Sequence, residues 1–133
     1  MSQKRWKVSN TSVYNLGYHL IGCPKYRRPV LVGEIEHRLK ELLIEKAQRI
    51  GISIEQIEIM PDHVHLFIKA SPGDAPPWIM QQLKGYTSRR LREEFSELVS
   101  KLPTLWTRSY DCESVGHISE AAVRQYIQDQ TGK

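Results

Sequence analysis

The segment from residue 63 to residue 70 alternates between two kinds of side chain, and this alternation restricts the fold more than any other feature. One set of alternate positions is wholly apolar: Val64, Leu66, Ile68 and Ala70. The other set begins with His63 and His65. Residues two apart in a strand point to the same side, so the two imidazoles share a face, with Cα atoms roughly 6–7 Å apart. The pattern predicts a strand with one face in the core and a candidate metal site on the other. Two unconnected, hydrogen-bonded histidines are the alternative, and partners elsewhere in the chain decide between them.

The chain has 133 residues, which is enough for one domain with a real core, so we expect a single domain over residues 1–133. Its 40% hydrophobic and 26% charged residues are typical of a soluble globular protein. We find no apolar run of membrane-spanning length and no apolar signal segment. Cys23 and Cys112 are isolated, which argues against a thiolate zinc site and fits a reducing compartment. We therefore expect a cytoplasmic protein with no membrane association.

Positive charge is unevenly distributed, although the net charge is only +4. The first 33 residues hold six cations and no carboxylate, and residues 84–92 hold four cations and no carboxylate. Such clusters favour a polyanion, most simply nucleic acid, over ordinary solvated surface. Tyr14, Tyr18 and Tyr26 lie among the first cations and offer stacking surfaces for a single strand. We expect phosphate contacts from Lys25, Arg27, Arg28, Lys84, Arg89 and Arg108.

Periodicity and breaker residues divide the chain into seven elements. The predicted elements are a strand at 13–23, a helix at 34–50, a strand at 52–60, a strand at 63–70, a helix at about 77–95, a short strand around 106–110 that can resume at 114–116, and a helix from Ser119. We expect the first helix to end at Gly51, because glycine is the usual residue after the last turn of a helix. A phase slip near Gln56 and Ile57 in the second strand indicates a bulge.

The order β-α-β-β-α-β-α predicts an α+β fold. Its first six elements match the split β-α-β pattern of ferredoxin-like domains, which form an antiparallel sheet. In that topology the first and third strands are central, and both crossover helices cover one face. The histidine strand is the third, so its imidazoles are expected at the middle of the uncovered face. The final helix, a partner chain or a ligand could cover that face.

The last predicted helix carries Tyr126 and Gln130, which are four residues apart and share a face. An amphipathic core tyrosine beside a solvated glutamine is one interpretation. The other joins them to the histidine pair, because two imidazoles and an amide oxygen make a three-ligand site with open positions. A divalent ion there would act as a Lewis acid on a phosphodiester. Zinc also accepts two histidines, but the neutral third ligand and this chemistry favour Mg²⁺ or Mn²⁺.

A tyrosine one helical turn from a metal ligand would be held near the bound phosphate. A phenol with a pKa of about 10 is a weak nucleophile and needs a polarised phosphorus as its target. Attack by Tyr126 would leave a 5′-phosphotyrosine link and free a 3′-hydroxyl. Because the bond energy is conserved, the strand could be rejoined to a new end without a nucleotide cofactor.

Five sequence blocks resemble one known family. They are YHLIGCPKYRRPVL (18–31), MPDHVHLFI (60–68), LKGYTSRRLREEF (83–95), LWTRSY (105–110) and VGHISEAAVRQYIQDQ (115–130). The chain resembles the single-tyrosine HUH transposases of insertion sequences, of the small TnpA type, in the REP-associated tyrosine transposase-like superfamily. The resemblance implies single-stranded DNA cleavage and rejoining by a homodimer that recognises DNA hairpins. It also implies that His63 and His65 are the metal pair, Tyr126 the nucleophile and Gln130 the third ligand.

Two other classes of function remain open from the residues. A non-catalytic single-stranded nucleic-acid-binding module would carry stacking aromatics on its open face, where this chain has only Phe67 in the histidine register. A host-domesticated or inactive HUH protein would keep the same residues for another purpose. Replication or conjugation nickases usually occur inside much longer chains.

Overall fold

The computed structural model describes residues 16–117 of the chain. Its elements are β1 (Leu16–Gly22), α1 (Gly33–Ile50), β2 (Ser53–Met60), β3 (His63–Ala70), α2 (Pro76–Glu94), α3 (Ser96–Lys101) and β4 (Asp111–His117). A single 3-10 turn at Lys25–Arg27 follows β1. Residues 13–15 of the predicted first strand, and the predicted helix from Ser119, lie outside the described residues.

The four strands form one sheet in the order β2-β3-β1-β4, and every neighbouring pair is antiparallel. The predicted α+β class is therefore confirmed, and β1 and β3 are the central strands, as the element order indicated. Ile21 lies opposite His65, and His19 lies opposite Phe67. This register determines which side chains of the two central strands can meet.

The core lies between the sheet and the helices α1 and α2. The apolar set of β3 faces it, and all four members are buried: Val64, Leu66, Ile68 and Ala70. Helix α1 buries the apolar positions that its sequence spacing indicated: Ile35, Leu39, Leu42, Leu43, Ala47 and Ile50. It ends at Gly51, whose left-handed φ of 80° suits glycine. The predicted division of β3 into a core face and a polar face is confirmed.

Helix α2 has proline in its first turn, as expected from the missing N–H of that residue. It buries Ile79, Leu83, Tyr86 and Leu91. At its C-terminal end, Glu94 accepts two hydrogen bonds from the Arg38 guanidinium, at 2.8 and 3.0 Å. The two helices therefore lie side by side over one face of the sheet. No helix within residues 16–117 is long and apolar enough to cross a membrane.

The predicted irregularity in β2 is a register shift between Ile54 and Gln56. Ile54 lies opposite Ile68, and Gln56 lies opposite Phe67, so Glu55 is the extra residue of a bulge. The prediction of a bulge is confirmed, slightly earlier in the strand than the sequence placed it.

The predicted strand around residues 106–110 is wrong. Trp106 makes only an isolated bridge to Pro24, and the fourth strand begins at Asp111 and includes residues 114–116. The segment is held by α2 instead of by the sheet. The Trp106 indole N–H donates to Thr87 Oγ1 at 3.0 Å. Lys84 Nζ donates to the carbonyl oxygens of residues 107, 108 and 109 at 2.5, 3.4 and 3.2 Å.

The sequence predicted no regular element between the helix that ends at about residue 95 and residue 106, but the structure has the short helix α3 there. Leu98 within it and Leu102 directly after it are fully or almost fully buried. The Arg92 guanidinium donates to the Leu102 carbonyl oxygen at 2.9 Å, which fixes the end of α3 against α2. Six residues are too few for a helical period to stand out in the sequence.

We expect Thr87→Val to destabilise the fold by about 1–3 kcal/mol, because the buried Trp106 N–H would lose its acceptor. Denaturant unfolding followed by tryptophan fluorescence measures this change. Ser88→Ala is the control, since it removes a hydroxyl from the next residue of α2 and should cost no more than roughly 0.5 kcal/mol. Equal stabilities of the two variants would contradict the role assigned to the Thr87 hydroxyl.

Candidate active site

His63 and His65 lie side by side on the sheet face opposite to the helices. Their ring centroids are 4.8 Å apart, and the rings are nearly perpendicular, with an interplanar angle of 72°. Two imidazoles bound to one ion through bonds of about 2.0–2.1 Å would have centroids roughly 5 Å apart. The spacing of the pair therefore fits a shared divalent ion.

Asp62 binds the Nδ1 atom of His63. The distance from His63 Nδ1 to Asp62 Oδ1 is 2.7 Å, and Arg27 Nη2 donates to the other carboxylate oxygen at 3.1 Å. The hydrogen bond from His63, and then the contact with Arg27, lower the pKa of Asp62. An ionised Asp62 accepts the Nδ1 proton, which leaves the Nε2 lone pair of His63 for a metal. Ligating histidines usually have a carboxylate or carbonyl in this role.

His19 binds the Nδ1 atom of His65. It comes from β1, and its Nε2 lies 3.1 Å from His65 Nδ1 with the rings stacked at a centroid distance of 5.2 Å. Burial, and then the neighbouring His63 and His19, lower the pKa of His65. A lowered pKa keeps the His65 imidazole neutral at neutral pH, which is the form that binds a metal. Nε2 is again the nitrogen left for an ion.

His19 is the site residue that sequence analysis missed. Its β1 neighbours Tyr18 and Leu20 pack with the core, so His19 belongs to the opposite face, the face of His63 and His65. The alternation of side chains along β1 indicated that His19 and Leu20 face opposite sides of the sheet. The role of His19 depends on the central position of β1 and on the register of β1 with β3, and only the first of these could be predicted from the sequence.

The described residues offer two candidate metal ligands, His63 and His65. Within residues 16–117 no group of three or more His, Cys, Asp or Glu side chains could hold a metal ion. His19 is not a third ligand, because its Nε2 points at His65. The third ligand that we predicted would therefore come from outside this range. Gln130 and Tyr126 lie outside the described residues, and their placement stays a prediction.

The six predicted phosphate-binding cations do not lie on one surface. Lys25, Lys84 and Arg108 line a groove of about 530 Å³ between α2 and the segment that follows α3. Arg27 is instead engaged with Asp62, beside the histidine pair. Arg28 and Arg89 are exposed, and the Arg89 guanidinium lies 5.8 Å from the ring centroid of Tyr86. Their contacts with DNA stay predictions.

The three tyrosines that were expected to offer stacking surfaces differ in exposure. Tyr26 is 67% exposed, in the turn that carries the basic residues. Tyr18 packs partly buried against the core, and this burial raises the pKa of its hydroxyl. Tyr18 is therefore a core residue and not a stacking surface. Tyr14 lies outside the described residues.

Known proteins with sequences similar to this chain are transposases of insertion sequences. The family model described as "Transposase IS200 like" matches residues 12–130. The ISDra2 transposase TnpA of Deinococcus radiodurans is 42% identical over 123 residues, which cover 91% of this chain and 88% of the relative. The transposase for insertion sequence element IS200 of Salmonella typhimurium is 30% identical over 119 residues, covering 88% and 78% respectively.

Two solved structures are similar in fold. A crystal structure from Deinococcus radiodurans, described as that of a transposase, has a TM-score of 0.72 at 39% identity, over 89% of this chain and 92% of that one. A REP-associated tyrosine transposase bound to a REP hairpin has a TM-score of 0.61 at 12% identity, over 87% and 64%. The second likeness is one of fold alone.

We expect Asp62→Asn to weaken Mn²⁺ binding by about 10–100-fold, because a neutral amide orients and polarises His63 less well than a carboxylate. Titration calorimetry with Mn²⁺ measures the affinity directly. Glu97→Gln makes the same carboxylate-to-amide change on the exposed surface of α3 and should leave the affinity unchanged. Wild-type affinity in Asp62→Asn would refute the assignment of Asp62 as the orienting group.

Proposed function

This chain belongs to the family of IS200-like transposases, and on that premise we propose that it cleaves and rejoins single-stranded DNA at the ends of an insertion sequence. The observation that carries this proposal is the histidine pair with both Nδ1 atoms engaged. His63 and His65 each keep Nε2 for a shared ion, at a spacing that fits one. Such a site suits phosphodiester chemistry.

We propose that His63, His65 and Gln130 hold a divalent ion, Mg²⁺ or Mn²⁺. When bound, the ion supplies Lewis-acid polarisation of the scissile phosphodiester. Asp62 and His19 act on the ligands themselves, since each fixes the proton position and the orientation of one imidazole. Three neutral ligands leave the charge of the ion uncompensated, and this favours binding of an anionic phosphate.

Tyr126 is the proposed nucleophile. Its hydroxyl oxygen attacks the phosphorus while the bond from phosphorus to the 3′-oxygen breaks. The phenol loses its proton, and the leaving 3′-oxygen takes up one proton to become a hydroxyl. The product is a 5′-phosphotyrosine link, so one phosphodiester is exchanged for another at little cost in energy. Attack by a 3′-hydroxyl of a different DNA end then reverses the step and restores Tyr126. No nucleotide cofactor is needed.

The proposed substrate is single-stranded DNA with hairpin ends. The family resemblance supports the hairpin, and the cation-lined groove and the exposed Arg28 and Arg89 supply positive charge for phosphates. Binding of this type should weaken as salt concentration rises, because each phosphate contact releases counterions.

A non-catalytic binding module with an RNA-recognition-like sheet is disfavoured by the placement of Phe67. That class stacks bases on exposed aromatics of the sheet. Phe67 is the aromatic of β3 on the histidine face, and it is only 2% exposed. A base therefore cannot stack on it without a rearrangement of the sheet surface.

We expect Tyr126→Phe to abolish covalent attachment to DNA, because the change removes only the attacking oxygen. Labelled single strands from the DNA flanking the gene are incubated with protein and Mn²⁺, denatured and separated by size. Tyr26→Phe is the control, since Tyr26 is the exposed tyrosine of the basic turn and should form the wild-type amount of adduct. An adduct that persists in Tyr126→Phe would place the nucleophile elsewhere.

We further propose a homodimer. A sheet of four strands leaves β2 and β4 as edges within the described part of the chain, and unpaired edges favour pairing with a second sheet. Light scattering at micromolar concentration should give twice the mass of one chain. A monomer with full cleavage activity under the same conditions would refute the dimer.

A further inference from the structure

The turn that follows β1 lies at the end of the sheet where the histidine strand begins. Gly22, the last residue of β1, lies opposite Val64 of β3, so the chain leaves β1 beside His63. The Leu31 N–H donates to the Pro61 carbonyl oxygen at 3.0 Å, which holds the segment after this turn against the connection between β2 and β3. Arg27 belongs to the turn and is therefore close to the candidate site in the fold, although it is far from it in sequence.

The backbone of this turn is strained at two successive residues. Tyr26 has a φ of 60° and Arg27 a φ of 51°, a left-handed conformation that is unfavourable for residues other than glycine. The Lys25 N–H bonds the Leu105 carbonyl oxygen at 2.8 Å, and the Arg27 N–H bonds the Pro24 carbonyl oxygen at 2.9 Å, so the surrounding chain holds the conformation in place. Both strained side chains are exposed, so core packing does not explain the strain. Backbone strain of this kind is concentrated where a side chain is placed for function.

Asp62 holds the Arg27 guanidinium and His63 at the same time. One carboxylate oxygen accepts from Arg27 Nη2 at 3.1 Å, and the other lies 2.7 Å from His63 Nδ1. A guanidinium has five N–H donors, and the contact with Asp62 uses one of them. The Arg27 side chain is 62% exposed, so its other donors are open to a ligand beside the histidine pair.

An ordinary surface ion pair is the other interpretation of this contact. The pair of Arg49 and Glu45 on α1 is such a case, with a distance of 2.9 Å and a similar exposure of its arginine, 58%. Exposed pairs of this kind stabilise a fold very little. A gain so small does not offset two left-handed residues, so the stability of the fold does not account for the placement of Arg27.

The chemistry of the held guanidinium matches a phosphate. Arginine binds phosphate oxygens through two parallel hydrogen bonds, which a planar group with free donors on one edge provides. A guanidinium that is already oriented by a carboxylate loses less freedom when it binds. The exposed Arg28 follows directly and adds a second positive charge at the same end of the sheet.

From these observations we infer that Arg27 binds a phosphate of the DNA strand at the histidine site while Asp62 holds its guanidinium in place. One carboxylate thereby orients both a proposed metal ligand and a substrate-binding cation. Local sequence predicted a phosphate contact for Arg27, and the structure adds the position of that contact and the residue that orients it. The inference rests on the proposed function for its choice of DNA as the ligand.

The test measures binding of a labelled oligothymidylate of about twelve nucleotides by fluorescence anisotropy over a range of salt concentrations. Tyr126→Phe is the parent protein, so that cleavage plays no part, and Mn²⁺ is present. We expect Arg27→Gln to weaken binding about tenfold, because one charged hydrogen-bonded contact is lost. The slope of log affinity against log salt should become shallower by about 0.7, the value for one phosphate contact with a single strand.

Three comparisons separate a phosphate contact from a purely structural role. Arg49→Gln makes the same change in a matched ion pair on α1 and should alter neither affinity nor slope. Arg27→Lys keeps the charge and should keep the slope, with only part of the affinity, because an ammonium lacks the planar fork. Titration calorimetry without DNA should give Arg27→Gln an Mn²⁺ affinity within about twofold of the parent, because Asp62 keeps its contact with His63.

Three results would overturn the inference. They are the absence of strand binding by the parent, an unchanged salt slope in Arg27→Gln, and a loss of Mn²⁺ affinity in Arg27→Gln as large as its loss of DNA affinity. The last result would mean that Arg27 acts only through Asp62. The adduct assay on Tyr126 is independent of this measurement, so failure of the inference and failure of the proposed function can be told apart.

Discussion

The antiparallel register between β1 and β3 places Ile21 opposite His65 and His19 opposite Phe67, and the candidate site depends on it. His19 and His65 are thereby diagonal neighbours on one face, close enough for their 3.1 Å contact. A shift of one residue would turn His19 toward the helices and leave the Nδ1 atom of His65 without this partner. Leu20 of β1 opposes such a shift, because it is fully buried and would move out of the core.

Helix α2 links the core to the surface that we assign to DNA. One side of it buries Leu83 and Leu91 against the sheet, while the opposite side carries Lys84 and Gly85. Lys84 uses its charge to hold three carbonyl oxygens of the facing segment. The same contact that shapes the groove therefore also gives it positive charge. Substitution of this lysine should therefore affect the local fold as well as binding.

Much of the fold follows from local sequence patterns, because burial alternates with the period of each element. The histidine pair, the bulge in β2 and the apolar stripe of α1 were all predictable in this way. The segment around Trp106 was not, because its apolar run resembles a strand. Its backbone oxygens are bound by Lys84 and its indole by Thr87, and both partners lie about twenty residues away on a helix.

In the candidate site, too, the partners of polar residues could not be predicted from local sequence. Arg27 looked like a free cation in an acid-free stretch, yet it pairs with Asp62, which precedes the histidines by a single residue. Local sequence gives the charge of a side chain but not its partner across the fold. His19 likewise acquires its significance from strand pairing. Tertiary contacts, and not composition, therefore decide which polar residues serve the site.

The central claim is that His63 and His65 bind one divalent ion through their Nε2 atoms. Pulsed electron paramagnetic resonance of the protein loaded with Mn²⁺ tests it most directly, because it detects nitrogen nuclei bound to the metal. We expect two coordinated imidazole nitrogens, and one in either His63→Ala or His65→Ala. Bound Mn²⁺ without nitrogen coupling, or with a signal unchanged by both substitutions, would contradict the claim.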